Sequence, residues 1–222
     1  MQTLACDCLA IPLLIGIPWL EDKVTASKVR RACKQAVCED DEGMSRASHL
    51  IEKLLSCPVG TAGWKAYENV VVEILCYLFV PPLVAPRVQA RSHSGIDRRD
   101  AVFANRNPDP SSNWGLLLRE LNARMIVVEI KNPHVTDIGK TEVDQTFLYM
   151  RKPMGNLAMI VCSKRPSESA RIRRNTIFSE FGKVILFVTN GDLKKMLLMK
   201  ERGEDPANRI VYLLELFYTQ AE

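Results

Sequence analysis

The sequence predicts an α/β fold, a central mixed β-sheet flanked by helices. Three observations predict it. Short apolar runs bounded by turn residues, above all Met125–Lys131, Leu157–Cys162 and Val184–Thr189, have the length and composition of buried strands. Segments of helical period separate these runs, the alternation that builds a sheet covered by helices. Ahead of them, residues 88–91 and Arg98–Ala104 flank a turn at 92–95, the pattern of an antiparallel hairpin.

Taken in order, residues 1–43 read as an N-terminal helical extension. Within it, 26–37 reads as a basic helix carrying Lys28, Arg30, Arg31 and Lys34, and the acidic run 39–43 reads as a solvated break. The domain proper spans 44–222. It opens with a helix over 45–55 whose Leu50, Leu54 and Leu55 face inward, stopped by Cys57-Pro58-Val59-Gly60. Trp64–Phe79 is a buried helix: Tyr67, Val70, Val71, Ile74, Leu75 and Leu78 recur at helical spacing, its other side is also apolar, and Pro81-Pro82 stops it. After the hairpin come a polar loop over 105–113, a short helix over 114–121 and the strand Met125–Lys131. A helix over 142–150, a strand, a helix over 167–181 and another strand follow. Asp192 caps a helix reaching 202, and 208–219 is a final apolar segment, helix or strand.

A chain of 222 residues buries one substantial core. Its net charge of +4 permits nucleic-acid binding without arguing for it. The seven cysteines are odd in number and irregularly spaced, which points to reduced thiols in a cytoplasmic protein. Cys6-x-Cys8 and Cys33-x4-Cys38 lack a second knuckle, and His49, His93 and His134 lie far off, so structural zinc is not expected. The apolar stretch 9–20 is too short to span a bilayer, holds Pro12 and Pro18, and follows no basic residue. It makes a poor membrane span and a poor signal peptide, and is expected to pack on the protein or a partner.

Polar residues inside the apolar strands carry the chemistry. Glu129 and Lys131 share one face of a strand expected to be buried on both sides. A carboxylate and an ammonium there are costly unless they pair or bind something. Asp100 raises the same question in Arg98–Ala104. Carboxylates on neighbouring strands suit Mg²⁺ or Mn²⁺, with the Ile130 backbone carbonyl as a further oxygen. Such an ion polarises a phosphate oxygen, and a neighbouring lysine orients water and stabilises developing charge. The bland alternatives are a surface pair for Glu129 and Lys131, a salt bridge from Asp100 to Arg98 or Arg99, and a solvated Glu68.

Asp100, followed by Glu129-Ile130-Lys131 closing an apolar strand, resembles the PD-(D/E)xK nuclease superfamily, the restriction-endonuclease-like fold. The resemblance covers roughly 60–189. It implies a core of helix, three-stranded meander, helix and strand. It implies a metal-dependent endonuclease acting on DNA and leaving 5′-phosphate ends, in a restriction or phage-defence setting, alone, as a homodimer or with a partner subunit supplying specificity. Asp100, Glu129 and the Ile130 carbonyl would hold metal, with Glu68 on the preceding helix assisting, and Lys131 would position the attacking water. Gly95-Ile96-Asp97-Arg98-Arg99-Asp100 resembles the glycine-arginine-aspartate approach of restriction-type members. Gln145 and Tyr149 resemble a Gln-x-x-x-Tyr element that contacts substrate or buttresses the site.

Arg91, Arg98 and Arg99, with Arg87, are expected to grip substrate. Arg171, Arg173 and Arg174, with Lys164 and Arg165, form a second basic cluster that either tracks a phosphate backbone or solvates a helix face. Two departures from the family pattern stand out: Arg99 rather than proline precedes Asp100, and the gap from Asp100 to Glu129 holds a Pro-containing insertion. The alternative is a catalytically silent nucleic-acid-binding or interaction module with a nuclease-like fold. A third possibility is an unrelated α/β domain in which Glu129 and Lys131 are structural.

Overall fold

The structure, a computed structural model, describes residues 44–91, 98–134 and 137–221, the side chains of Arg91 and Arg98 excepted. The expected extension at 1–43, with its cysteine pairs, and the turn at 92–95 lie outside the described residues.

Helices α1 (Arg46–Ser56) and α2 (Trp64–Phe79) lead into strands β1 (Val84–Arg91) and β2 (Arg98–Ala104). Then follow α3 (Asn113–Leu121), β3 (Met125–Lys131), α4 (Lys140–Tyr149), β4 (Leu157–Cys162), α5 (Glu168–Phe181), β5 (Val184–Thr189), α6 (Asn190–Glu201) and α7 (Ala207–Gln220). The strands form one mixed sheet in sequence order. β1, β2 and β3 run as an antiparallel meander, and β4 and β5 add in parallel to β3.

Period-two alternation sorts the strand side chains into two cores. Ile126, Val128, Leu157, Met159, Val161, Val184, Leu186 and Val188 face the larger one, covered by α1, α2, α3, α6 and α7. Val127, Ala158, Ile160, Cys162, Ile185 and Phe187 face the smaller one beneath α4 and α5. Each of these two helices crosses between parallel strands on that face, as parallel pairing requires. The expectation that β3 is buried on both faces is met. Among the described residues, no helix is long and apolar enough to cross a membrane.

The structure departs from the sequence reading in local ways. β1 begins at Val84, earlier than 88. Its first part carries a register irregularity between Val84 and Arg87 and contains Pro86, both tolerated on an edge strand. Leu55 is exposed, because the buried stripe of α1 runs through Ala47, Leu50 and Leu54. The cap of α6 is Thr189, and Asp192 is its capping-box partner. The final apolar segment is a helix, α7, which buries Ala207, Ile210, Leu214 and Phe217.

Candidate active site

β2 and β3 part company at the C-terminal end of β3, and the candidate site lies in that parting. Their paired residues run from Ala104↔Met125 to Ala101↔Val128. Beyond this point the Asp100 carboxylate accepts the Ile130 N–H through Oδ2 at 2.8 Å. β3 meanwhile stays paired with β4 as far as Lys131↔Cys162. A strand residue's carbonyl points to the same side as its N–H, so the Ile130 carbonyl faces the β2 side of the strand, as its N–H does.

Glu129 is 3% exposed. Its Oε1 lies 2.8 Å from Lys131 Nζ, confirming that the two share a face. Its Oε2 is buried without a hydrogen-bond partner. Burial, reinforced by the charge of Asp100, pushes the Glu129 carboxyl up to about 7; Lys131 pulls the other way, and Glu68 adds to the rise.

Lys131 also donates to Gln145 Oε1 at 3.0 Å, and the Gln145 amide donates to the Tyr149 hydroxyl at 2.8 Å. Gln145 and Tyr149 sit one turn apart on α4, so one helix face delivers both. The Arg99 guanidinium lies 5.5 Å from the Tyr149 ring centroid. Arg99 is buried, and its Nε has no hydrogen-bond partner. It packs on Tyr149 inside the protein, where the expectation had it gripping substrate. The side chains of Arg91 and Arg98, expected to share that role, lie outside the described residues.

Glu68 is buried on α2 rather than solvated. Gln89 Nε2 donates to its Oε1 at 2.9 Å, and Lys65 Nζ donates to its Oε2 at 3.1 Å. Two donors keep this carboxylate compatible with burial. Glu73, the competing acid on the same helix, instead ties α2 to α1 through Lys53 at 3.3 Å and Arg46 at 3.8 Å.

Two members of the second basic cluster are engaged within the protein. Arg174 is buried, with its guanidinium 5.2 Å from the Phe187 centroid and 4.5 Å from the Phe217 centroid. Burial, aided by Arg171, pushes it down to about 10. Arg173 is paired with Asp144 across α4 and α5 at 2.5 Å. A helical sequence pattern could not separate these from Arg171, which is exposed.

A cleft of about 350 Å³ gathers Asp100, Glu129, Ile130 and Lys131 with Trp64, Asn132, Pro133, Asp137, Ile138 and Glu142. The last six were missed in the sequence reading. Asn132 and Pro133 directly follow the motif lysine and carried a signal. Trp64 carried a weaker one, as a large aromatic at the first position of a helix. Asp137 and Glu142 carried none. Among the described residues, no group of three or more His, Cys, Asp or Glu side chains converges as a metal cage. A cation here would rest on two carboxylates, a carbonyl and water, a donor set that fits Mg²⁺ or Mn²⁺ and not structural zinc. The unpartnered Glu129 Oε2 is the observation that fits it.

Compared with known families, curated proteins and solved structures, the chain matches none.

Proposed function

We propose that this chain is a divalent-metal-dependent endonuclease of restriction-endonuclease-like type, hydrolysing phosphodiester bonds in DNA. The observation that carries the reading is Glu129: a buried carboxylate beside a lysine, facing a second carboxylate, with one oxygen unpartnered. Burial of that kind is costly and clusters at functional sites. The order helix, three-stranded meander, helix, strand supports the fold type.

Asp100 and Glu129, with the Ile130 carbonyl, would hold Mg²⁺ or Mn²⁺. When bound, the ion supplies Lewis-acid polarisation of a phosphate oxygen. Lys131 does the positioning. Its ammonium has three donors; Glu129 and Gln145 take two, and the third serves the attacking water or a phosphate oxygen. Gln145, held by Tyr149, fixes the direction of that ammonium. Glu68, with both oxygens engaged, acts through its charge and through water rather than as a direct ligand. The setting is cytoplasmic DNA processing such as restriction or phage defence, alone or with a second copy or partner subunit.

The test is incubation of plasmid DNA, and of the same DNA as single strands, with Mg²⁺ or Mn²⁺, wild type against Lys131→Ala. Wild type cuts, and the variant is slower by about 100-fold or more, as for loss of a charge-stabilising donor. Cleavage that survives the substitution removes Lys131 from the mechanism. No cleavage with either metal leaves the catalytically silent nucleic-acid-binding module as the reading.

A further inference from the structure

We infer that Trp64 is a stacking platform for an unpaired nucleobase, so that the cleft takes single-stranded nucleic acid; the inference rests on the nuclease reading above. Trp64 is 45% exposed and lines the same cleft as Asp100, Glu129 and Lys131. Exposure alone says nothing, since single apolar residues are common on surfaces. The mounting of this indole is what distinguishes it.

The turn that delivers Trp64 is fastened to the residues just past Lys131. Gly60 N–H donates to the Asn132 carbonyl at 3.0 Å, and the Asn132 side-chain amide donates to the Pro58 carbonyl at 2.9 Å. Gly60 has φ +81°, and a Cβ there would stand 2.7 Å from His134 Cβ. A Cβ on Gly63, the residue before Trp64, would stand 1.8 Å from the Pro58 carbonyl oxygen. The turn is therefore pressed against the loop that follows β3, and Trp64 is set in place relative to Lys131. Lys65 Nζ, 5.4 Å from the indole centroid and 3.1 Å from Glu68, braces the ring.

The cleft's size and polarity select what meets the indole. A volume of about 350 Å³ suits a small flat group, and a base enters such a space only after leaving its stack. Asp137 and Glu142 share the lining with Trp64. The Asp137 carboxylate and the Glu142 oxygen not taken by the Gly139 N–H accept from the amino groups of a base edge, and their charge repels a phosphate. A base therefore lies against Trp64, with its phosphate toward Lys131.

The experiment measures binding in Ca²⁺ and cleavage in Mg²⁺ or Mn²⁺ for wild type, Trp64→Ala and Trp64→Phe. The probes are a labelled single strand of about 12 nucleotides and the same sequence as a blunt duplex. Loss of one stacked base weakens single-strand binding by Trp64→Ala about 5- to 150-fold, while Trp64→Phe keeps most of it and duplex binding is unchanged. The inference is overturned if Trp64→Ala binds the single strand as wild type does, or if single strand and duplex weaken alike. Trp64-dependent binding by a wild type that never cleaves upholds the platform and removes the nuclease. Cleavage by wild type that Trp64→Ala leaves untouched does the reverse.

Discussion

Two buried carboxylates stand at the C-terminal end of the parallel strands, Glu129 near the end of β3 and Asp192 just beyond β5, and they are treated in opposite ways. Asp192 Oδ2 accepts from the Thr189 N–H at 2.9 Å and the Thr189 hydroxyl at 2.6 Å, and its Oδ1 accepts from Arg209 Nε at 2.9 Å and Nη2 at 2.5 Å. Burial raises its pKa, but the Thr189 and Arg209 contacts outweigh burial and hold it below the ordinary aspartate range. Glu129 has one close partner, one unpartnered oxygen and a raised pKa. Burial is common to both, so burial alone does not single out the acid proposed to bind metal. The unmet hydrogen-bonding capacity does.

Removing each acid in turn separates the two most widely. Asp192→Ala leaves Arg209 without its partner and costs about 3–5 kcal/mol, the range for breaking a buried pair. At roughly 2–4 °C per kcal/mol for a chain of this size, the melting temperature falls by about 10 °C. Cleavage measured well below that temperature is retained. Equal loss of cleavage and stability would erase the distinction between a structural and a functional acid. Glu129→Gln does the converse: cleavage drops by about 100- to 1000-fold, while the melting temperature holds or rises, because a costly buried charge is gone.

Next in size is the pH response of the metal-free protein. Glu129 binds its proton more tightly folded than unfolded, so stability falls as pH rises from its ordinary value of 4.5 to about 7, by at most on the order of 3 kcal/mol. Asp192 has the opposite sign: it stabilises above its ordinary value of 3.8, and this is lost as pH falls through its lowered folded pKa. Thermal melts from pH 5 to 8 read the Glu129 effect. Mg²⁺ stabilises more at pH 8 than at pH 5, because binding to Glu129 requires its proton to leave. A melting temperature that is flat over this range in wild type and Glu129→Gln alike would refute the raised carboxyl. The smallest effect belongs to Glu68→Gln. Removing a like charge lowers the Glu129 pKa, and the pH profile of metal binding moves to lower pH by a fraction of a unit.

Legibility in the sequence followed the range of the interaction. The bounds of β2, β3, β4, β5 and α2 were readable because period and turn residues are encoded within a dozen neighbours. Glu129 and Lys131 were readable for the same reason, since alternation along one strand makes them neighbours. Gln145 and Tyr149 were readable as a pair, though not that Gln145 would reach Lys131 or that Arg99 would cover Tyr149. Leu55 and Arg174 were misplaced because a helical wheel gives spacing without saying how wide the buried stripe is. Arg174 also shows that aromatic rings from β5 and α7 can bury a guanidinium that looks solvated in sequence.

The alternation of strands and helices, the mixed sheet and the charged residues embedded in apolar strands are encoded locally, because they rest on periodicity and on the cost of buried charge. The tertiary structure set the parting of β2 and β3 at Asp100 and the hold of Gln89 on Glu68. It alone brought Trp64 from α2, Asp137 from the approach to α4 and Glu142 from the first turn of α4 into the cleft beside Lys131. These are meetings between segments far apart in the chain, fixed by packing and by single hydrogen bonds that leave no periodic trace in the sequence.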